Sequence, residues 1–488
     1  MSKDLNLYLP ETEVHWNAVK SYIERVPEEG YPRAPESARE AFKDMKFGVR
    51  IHWGLYSKWG LQEESWPLLK MSPADKHKYQ ELYQDFNPDG FDAGEWMRFF
   101  SEAGFKCFAF TAKHHDGFSL FDTATKVKQR VNWAGSNGPQ IEECDSSYSV
   151  MDSPYKKDIV GELCDAARAY GIKVDLYFSH PDWYDVDFRP YCFHPVTVPD
   201  YEKLLTKREL SEYPHRFEKQ YPIEGHTITK EEKERMVTRH KQQLTELVTK
   251  YGNIDMLCLD MWLGVDVWPH LKETIKELRK IAPNVMLRCR GIGNYGDYYT
   301  PEGFVPGSKE NTDMPWMVIY PLANTFSYDP DGERYKGSEW VIENLIDAVA
   351  KGGNFMVGIG PDGNGRWHPK AVEQLLDTGK WLAVNGEAIY ATRPRPGTLY
   401  KEGDEIYYTC SKDGTFVYAI SMKWPGRSLY LTTVQPKAGT TIRMLGVDED
   451  LKWQSLPDGK LVIDIPEKMQ NEQNRPCKMA YAFKIEAF

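Results

Sequence analysis

Between residues 47 and 390 the chain alternates short apolar runs with amphipathic ones. The strand-like runs are FGVRIHWG (47–54), KCFAFTAK (106–113), IKVDLYFS (172–179), IDMLCLD (254–260), VMLRCRG (285–291) and FMVGIGP (355–361). Their near-continuous Phe, Val, Ile, Leu and Tyr content suits strands buried on both faces. Between them lie helical stripes: Trp96, Phe99, Phe100 and Ala103; Ile159, Leu163, Ala166, Ala167 and Tyr170; Leu271, Ile275, Leu278 and Ile281. Gly104, Gly171 and Gly252 follow helical stretches and read as C-terminal caps. This alternation predicts repeated βαβ units and a parallel sheet. An open doubly wound sheet and a closed barrel both satisfy it. No strand is followed by the glycine-rich dinucleotide fingerprint, and polar residues cluster just past the strands' C-terminal ends. The expectation is therefore an α/β fold with a (β/α)8-like barrel.

Residues 195–235 interrupt the pattern with a charge-rich stretch, which reads as a solvated insertion or as a lid over the barrel mouth. After Pro394 and Pro396 the runs EIYYTC, TFVYAISM, SLYLTTV, TTIRML, KLVIDI and KMAYAFKIEAF are short, β-branched and aromatic. Turn signals fall at Asp413-Gly414 and Pro457-Asp458-Gly459. A C-terminal antiparallel β-sandwich is expected. The division is a catalytic barrel over 1–392 and a sandwich over 393–488, the latter serving as packing support. There is no internal repeat.

Composition narrows the partners. With 41% hydrophobic and 27% charged residues among 488, the chain can bury a core. A net charge of −11 repels phosphate backbones and argues against nucleic acid. No apolar run approaches the ~20 residues of a membrane helix. None of the eight cysteines forms a C-x-x-C pair, so zinc ribbons and dithiol redox sites lose their signal and free thiols are expected. The 15 Trp and 29 Tyr suit stacking on sugar faces as well as a large aromatic core. The start, MSKDLNLYLPETEVHW, lacks a basic-then-apolar leader. That fits a cytoplasmic protein, or a periplasmic or secreted one without its signal. Oligomeric state is left open.

The chemistry sits at the strand ends. His52 and Trp53 end the first run, and Lys113-His114-His115-Asp116 the second. Ser179, His180, Asp182 and Trp183 follow the third, Asp260 and Trp262 the fourth, and Arg288 and Arg290 the fifth. Glu302 lies twelve residues after Arg290, in a Gly/Tyr-rich loop. Position 50 is Arg, so the first strand lacks the H-x-H of many barrel metallohydrolases, and there is no H-E-x-x-H. The histidines could cluster on a metal, be buried and hydrogen-bonded, or bind substrate hydroxyls, since imidazole both donates and accepts. The last reading is preferred, and no metal or cofactor is expected. Glycoside hydrolysis needs two carboxyl groups. Asp260 ends an apolar strand, where a carboxylate is costly unless hydrogen-bonded or functional; a helix N-cap is the simpler role. Asp116, Asp182, Asp297 and Asp362 compete with Asp260 and Glu302 on similar grounds.

FGVRIHWGLYS, TAKHHDGFSLFDT, GIKVDLYFSHPDW, IDMLCLDMW, the Arg290-to-Glu302 spacing and GGNFMVGIGPDGNG occur in that order and resemble glycoside hydrolase family 29, the α-L-fucosidases. The likeness spans roughly residues 40–488. It implies a barrel followed by a β-sandwich, and removal of terminal α-L-fucose from glycans with retention and without a metal. By position, Asp260 matches the nucleophile and Glu302 the acid/base. His52, His114 and His115 match histidines that bind sugar hydroxyls, with Arg290 orienting the ligand. The two carboxyl groups are then expected about 5–5.5 Å apart.

The sequence departs from the family at the pocket. Arg50 replaces a Phe that encloses the fucose methyl, and alternation puts it on the same face as His52. Cys258 replaces a Trp two residues before Asp260. The usual Ser-Glu-Trp reads Glu64-Ser65-Trp66, and a later Trp-Glu reads Trp316-Met317. A guanidinium suits a hydroxyl or a sulfate better than a methyl group. An α-L-galactosidase acting on L-galactose units of algal-type polysaccharides, sulfated or not, is therefore the alternative to a fucosidase. A non-catalytic carbohydrate-binding barrel and a metal-dependent hydrolase are further alternatives.

Overall fold

The computed structural model describes residues 5–191, 193–197, 227–301, 306, 312–397 and 399–487. Among the described residues up to 360 there are nine strands: β1 (Phe47–Ile51), β2 (Cys107–Lys113), β3 (Val127–Asn132), β4 (Gln140–Ser146), β5 (Lys173–Ser179), β6 (Met256–Asp260), β7 (Met286–Leu287), β8 (Met317–Pro321) and β9 (Asn354–Ile359). Seven of them make one parallel sheet in the order β7-β6-β5-β2-β1-β9-β8. That is chain order, cyclically permuted, as a barrel requires. The two ends of the sheet meet through Tyr298 and Tyr299. Arg288 pairs in parallel with Tyr298, and Tyr299 with Trp316. Cys289 N donates to Tyr298 O at 3.0 Å, and Met317 N to Tyr299 O at 3.1 Å. This two-residue piece stands where an eighth strand belongs and closes the ring. Every residue of β1, β2, β6 and β9 is buried, which explains their continuous apolar runs.

Among the described residues ten helices accompany the strands: α1 (Val14–Val19), α2 (Glu36–Met45), α3 (Leu55–Trp59), α4 (Pro73–Glu81), α5 (Ala93–Glu102), α6 (Ile159–Tyr170), α7 (Lys230–Thr249), α8 (Trp268–Ile281), α9 (Ser338–Ala350) and α10 (Pro369–Asn385). The three striped helices of the sequence are α5, α6 and α8. Asp158 caps α6 by accepting from Gly161 N, and Gly171 ends it at φ +63°. Of the charge-rich stretch 195–235, residues 198–226 lie outside the described residues. Its end, from Lys230, is the first part of α7, which opens with a capping box between Thr229 and Glu232.

Three differences from the sequence reading have physical causes. The run 285–291 is a strand only at Met286–Leu287, because the chain after Leu287 carries Arg288 and Arg290 into the barrel mouth. Strand β8 was not among the expected runs, since MVIYP is short and half-exposed from Ile319 onward. The segment after β2 carries an antiparallel hairpin, β3–β4, whose charged, mostly exposed β4 gives no apolar alternation.

The C-terminal strands are β10 (Arg393–Pro394), β11 (Lys401–Glu402), β12 (Ile406–Cys410), β13 (Phe416–Ser421), β14 (Ser428–Leu431), β15 (Ile442–Met444), β16 (Trp453–Ser455), β17 (Leu461–Asp464) and β18 (Tyr481–Glu486). They build two antiparallel sheets, β10-β12-β13-β18-β15 with β11 beside β12, and β14-β17-β16. Leu429, Leu431, Met444, Ile463, Phe483 and Ile485 form the core between them. Tyr418, Ile420, Ala480 and Ala482 instead join the barrel's core. Trp381 Nε1 of α10 donates to the Met479 and Ala480 carbonyls at 2.9 and 3.0 Å. The seven described cysteines are free thiols. Among the described residues no helix is long and apolar enough to cross a membrane.

Helix α10 packs on the end of α5 at Gly379, where a Cβ would lie 2.1 Å from the Glu102 carbonyl oxygen. Alanine gains about 1 kcal/mol of helix propensity over glycine, but a clash with backbone costs about 1–3 kcal/mol or more. Gly379→Ala is therefore expected to lower the melting temperature. A raised melting temperature would show that α5 and α10 separate freely.

Candidate active site

A cavity of about 310 Å³ opens at the C-terminal ends of the barrel strands. Asp260, the last residue of β6, stands in its wall. Its Oδ1 accepts from Arg290 Nη1 at 2.9 Å and from Arg288 Nη1 at 3.4 Å. Its Oδ2 accepts from the Tyr177 hydroxyl at 2.7 Å. Burial pushes this carboxyl toward its neutral form, but the Arg290 and Arg288 charges, His115 and the Tyr177 bond outweigh it. Asp260 is held well below the ordinary carboxylate range and is ionised at any physiological pH.

Strand alternation puts part of this together. Asp175, Tyr177 and Ser179 share a face of β5, and Cys258 and Asp260 a face of β6. The floor is cationic. Arg50 Nη1 lies 3.0 Å from Cys258 Sγ, and Arg288 Nη1 lies 3.3 Å from the same sulfur. The Arg50 guanidinium also stands 4.5 Å from the Tyr177 ring centroid, an attractive cation–π geometry. Arg288 Nε is fixed by Thr300 Oγ1 at 2.8 Å. Asp175, deeper in the barrel, is pushed up to about 7 by burial, against the pull of Arg50 and Arg288.

The opposite wall is imidazole and indole. His52, His114 and His115 all line the cavity. Ser65 Oγ lies 2.5 Å from His114 Nδ1, and Ser179 Oγ 2.7 Å from His115 Nδ1. Each ring is thus fixed by a hydroxyl at Nδ1. Trp66 meets His115 edge-on at 5.0 Å and Trp183 at 5.6 Å between ring centres. Glu64 is 1% exposed and lines the same space. Its Oε1 accepts from Phe326 N at 3.1 Å and Thr325 Oγ1 at 3.2 Å, which ties the loop after β1 to the loop after β8.

Arg290 is steadied from behind. His180 Nε2 lies 3.3 Å from the Arg290 carbonyl oxygen, and His180 Nδ1 lies 3.1 Å from His240 Nε2 on α7. A carbonyl only accepts, so His180 donates through Nε2 and takes the His240 proton at Nδ1. Burial pushes His180 down to about 4, which keeps it neutral for this role. The next residue must be glycine. Gly291 has φ +73°, and a Cβ there would meet the Met261 carbonyl at 2.5 Å and the His180 ring at 2.7 Å.

The structure brings together Asp260, His52, His114, His115, Arg290, Arg50 and Trp66 around the cavity, with Cys258 buried under Arg50 and Arg288. Trp316 stands apart. It immediately precedes β8 and packs against Gly353, whereas Ile319, Tyr320 and Pro321 at the other end of β8 reach the cavity. Glu302 lies outside the described residues. The competing carboxylates have structural partners. Asp116 accepts from the Tyr79 hydroxyl at 2.6 Å, Asp182 pairs with Arg239 at 2.7 Å, and Asp297 pairs with Arg279. Asp362 accepts from Asn364 N and Arg366 N at 2.9 Å in a turn. Among the described residues no group of three His, Cys, Asp or Glu side chains is arranged to hold a metal ion. Tyr177, Arg288 and Glu64 went unassigned from sequence. For Tyr177 the available signal was a polar tip on a strand buried from Val174 onward, and for Arg288 its place just past the end of one.

The family model for alpha-L-fucosidase matches residues 27–387, and that for the alpha-L-fucosidase C-terminal domain matches 401–486. The chain is 29% identical to the tissue alpha-L-fucosidase of Homo sapiens over 471 residues, covering 91% of this chain and 88% of that protein. It is 26% identical to the plasma alpha-L-fucosidase of Homo sapiens, covering 91% and 89%. In fold it is similar to alpha-L-fucosidase isoenzyme 1 from Paenibacillus thiaminolyticus (TM-score 0.72, 24% identity, 93% of this chain and 99% of that one). It is similar also to the Thermotoga maritima alpha-fucosidase in complex with fucose (TM-score 0.69, 24% identity, 93% and 100%). The chain belongs to the α-L-fucosidase family of glycoside hydrolases.

Tyr177→Phe takes one donor from Asp260 and so raises its pKa, because the bond stabilises the ionised form. The acid limb of kcat/KM against pH, measured on an aryl α-L-fucoside, is expected to move to higher pH. An unmoved limb would mean that Tyr177 does not set the ionisation that controls turnover.

Proposed function

We propose that this enzyme is a retaining exo-α-L-glycosidase that removes terminal α-L-fucose from glycans through a glycosyl-aspartate intermediate. The observation that carries this reading is the buried, ionised carboxylate of Asp260 in the cavity wall. Asp260 attacks the anomeric carbon, and Glu302, protonated, gives its proton to the departing oxygen. Water deprotonated by Glu302 then hydrolyses the ester, and two inversions give net retention. Arg290 and Tyr177 orient the attacking carboxylate in the first step. In the ester one of the two carboxylate oxygens is bonded to C1, and the partner on the other keeps its hydrogen bond to the carbonyl oxygen. His52, His114 and His115 bind ring hydroxyls, with Trp66 beside them. A cavity floored by Arg50, Cys258 and Arg288 accepts a chain end rather than a chain middle, which supports exo action. The catalytic unit would be residues 1–392, with 393–488 as packing support.

A second reading, an α-L-galactosidase, is favoured by Arg50. The residue lines the cavity at 3% exposure instead of turning outward, and no carboxylate among the described residues lies within ion-pair distance. Its Nε has no hydrogen-bond partner among the described residues. L-Galactose is L-fucose with a hydroxyl on C6, and that oxygen would satisfy a donor for which a methyl group offers nothing.

Paired hydrolysis of aryl α-L-fucoside and aryl α-L-galactoside tests both readings. Asp260→Asn is expected to lose about 10³-fold or more in kcat on either sugar; wild-type rates in this variant would remove Asp260 from the chemistry. Arg50→Phe is expected to raise the fucoside-to-galactoside ratio of kcat/KM by at least about tenfold. An unchanged ratio would sink the second reading.

A further inference from the structure

Among the described residues the cavity has one contributor from outside the barrel plan. Apart from Val14 and His15, its lining residues come from a barrel strand or from the loop after one. Val14 and His15 begin α1, which precedes β1 and also precedes residues 27–387, the part matched by the family model. By connectivity alone a segment before β1 has no reason to reach the C-terminal face.

It is held there by bonds to the chain that follows Arg290. Leu9 N donates to Asn294 Oδ1 at 2.8 Å, and Asn294 Nδ2 donates to the Arg25 carbonyl at 2.7 Å, so one side chain ties both flanks of α1. Thr312 Oγ1 donates to the Tyr8 carbonyl at 2.6 Å, and Asp313 N to the Asn6 carbonyl at 2.8 Å. Glu28 N donates to the Tyr295 hydroxyl at 3.0 Å. Trp16 is 2% exposed and packs with Ile23 against Gly293. The Glu13 carboxylate accepts from His15 N at 3.2 Å and fixes the first turn. A short helix is marginal by itself; these anchors make it a fixed part of the wall.

We propose that this segment builds a leaving-group subsite, in which His15 and Val14 contact the sugar residue to which the terminal L-sugar is attached. The inference rests on the glycosidase reading above. Arg50, Cys258 and Arg288 lie on or next to strands and form the floor, so they meet the terminal sugar. His15 enters from outside the barrel, at the rim, where the substrate leaves the pocket. The ligand class is a neutral pyranose. An imidazole both donates to and accepts from its hydroxyls, and the Val14 methyls meet its C–H face.

The test compares two leaving groups. The glycosyl fluoride of the preferred L-sugar has a single atom there, whereas a disaccharide fills the subsite. The probe is the fastest of the 1,2-, 1,3-, 1,4- and 1,6-linked disaccharides of that sugar. The readout is kcat/KM on the disaccharide divided by kcat/KM on the fluoride. His15→Ala is expected to lower this ratio by roughly tenfold, the scale of a lost hydrogen bond in a partly buried site. His15→Asn, which keeps a donor and an acceptor, recovers part of it. A ratio unchanged in His15→Ala overturns the subsite, whatever happens to the individual rates. Failure of the wild-type enzyme to turn over either glycosyl fluoride overturns the glycosidase reading, and the subsite with it.

Discussion

A carboxylate withdrawn from water costs several kcal/mol unless charges and donors replace its hydration. Asp260 meets that condition with three partners from two parts of the barrel: Tyr177 on β5, and Arg288 and Arg290 after β7. Removing Tyr177 takes a donor from this carboxylate, and removing Arg288 or Arg290 takes a positive charge from beside it. The floor of the cavity, the placement of Arg290 and the ionisation of Asp260 are therefore one arrangement. Everything around it serves to keep these few side chains in register.

Barrel closure is part of that arrangement. β7 is only two residues long, and the ring is completed by Tyr298 and Tyr299 instead of a full strand. The shortened strand frees the chain after Leu287 to turn toward Asp260, and it needs support from elsewhere. That support comes from His180 and His240 behind Arg290, from Gly291, which lets the chain pass close to Met261, and from the N-terminal segment clipped to Asn294 and Asp313. The histidines suit the task because burial keeps His180 neutral, so it donates to a carbonyl without adding a charge beside Arg290.

The parts of the fold legible in the sequence were those set by local physics. Strands buried on both faces wrote themselves as apolar runs, and α5, α6 and α8 as stripes. The site was legible where chemistry and strand position coincide: Asp260 ends an apolar strand, and the histidines follow two others. Legibility failed where a residue's role depends on a distant partner. Tyr177 looks like one more buried aromatic until Asp260 is placed 2.7 Å from its hydroxyl. Asp116, Asp182 and Asp297 look like catalytic candidates until Tyr79, Arg239 and Arg279 are found beside them. Trp316 was named from the family resemblance, which does not say at which end of a strand a residue falls. The segment around His15 carries neither period, and its place over the cavity is set by side-chain bonds to residues some 285 positions away.

The most direct test of the account is to trap the intermediate and find its attachment point. The enzyme would be incubated with a 2-deoxy-2-fluoro-α-L-fucosyl fluoride or its L-galactosyl counterpart, digested, and mapped by mass spectrometry. The account predicts one fluoroglycosyl ester, on the peptide that carries Asp260, formed as fluoride leaves and C1 bonds to the carboxylate oxygen. A label on any other residue, or turnover that inverts the anomeric centre with no adduct, would contradict it.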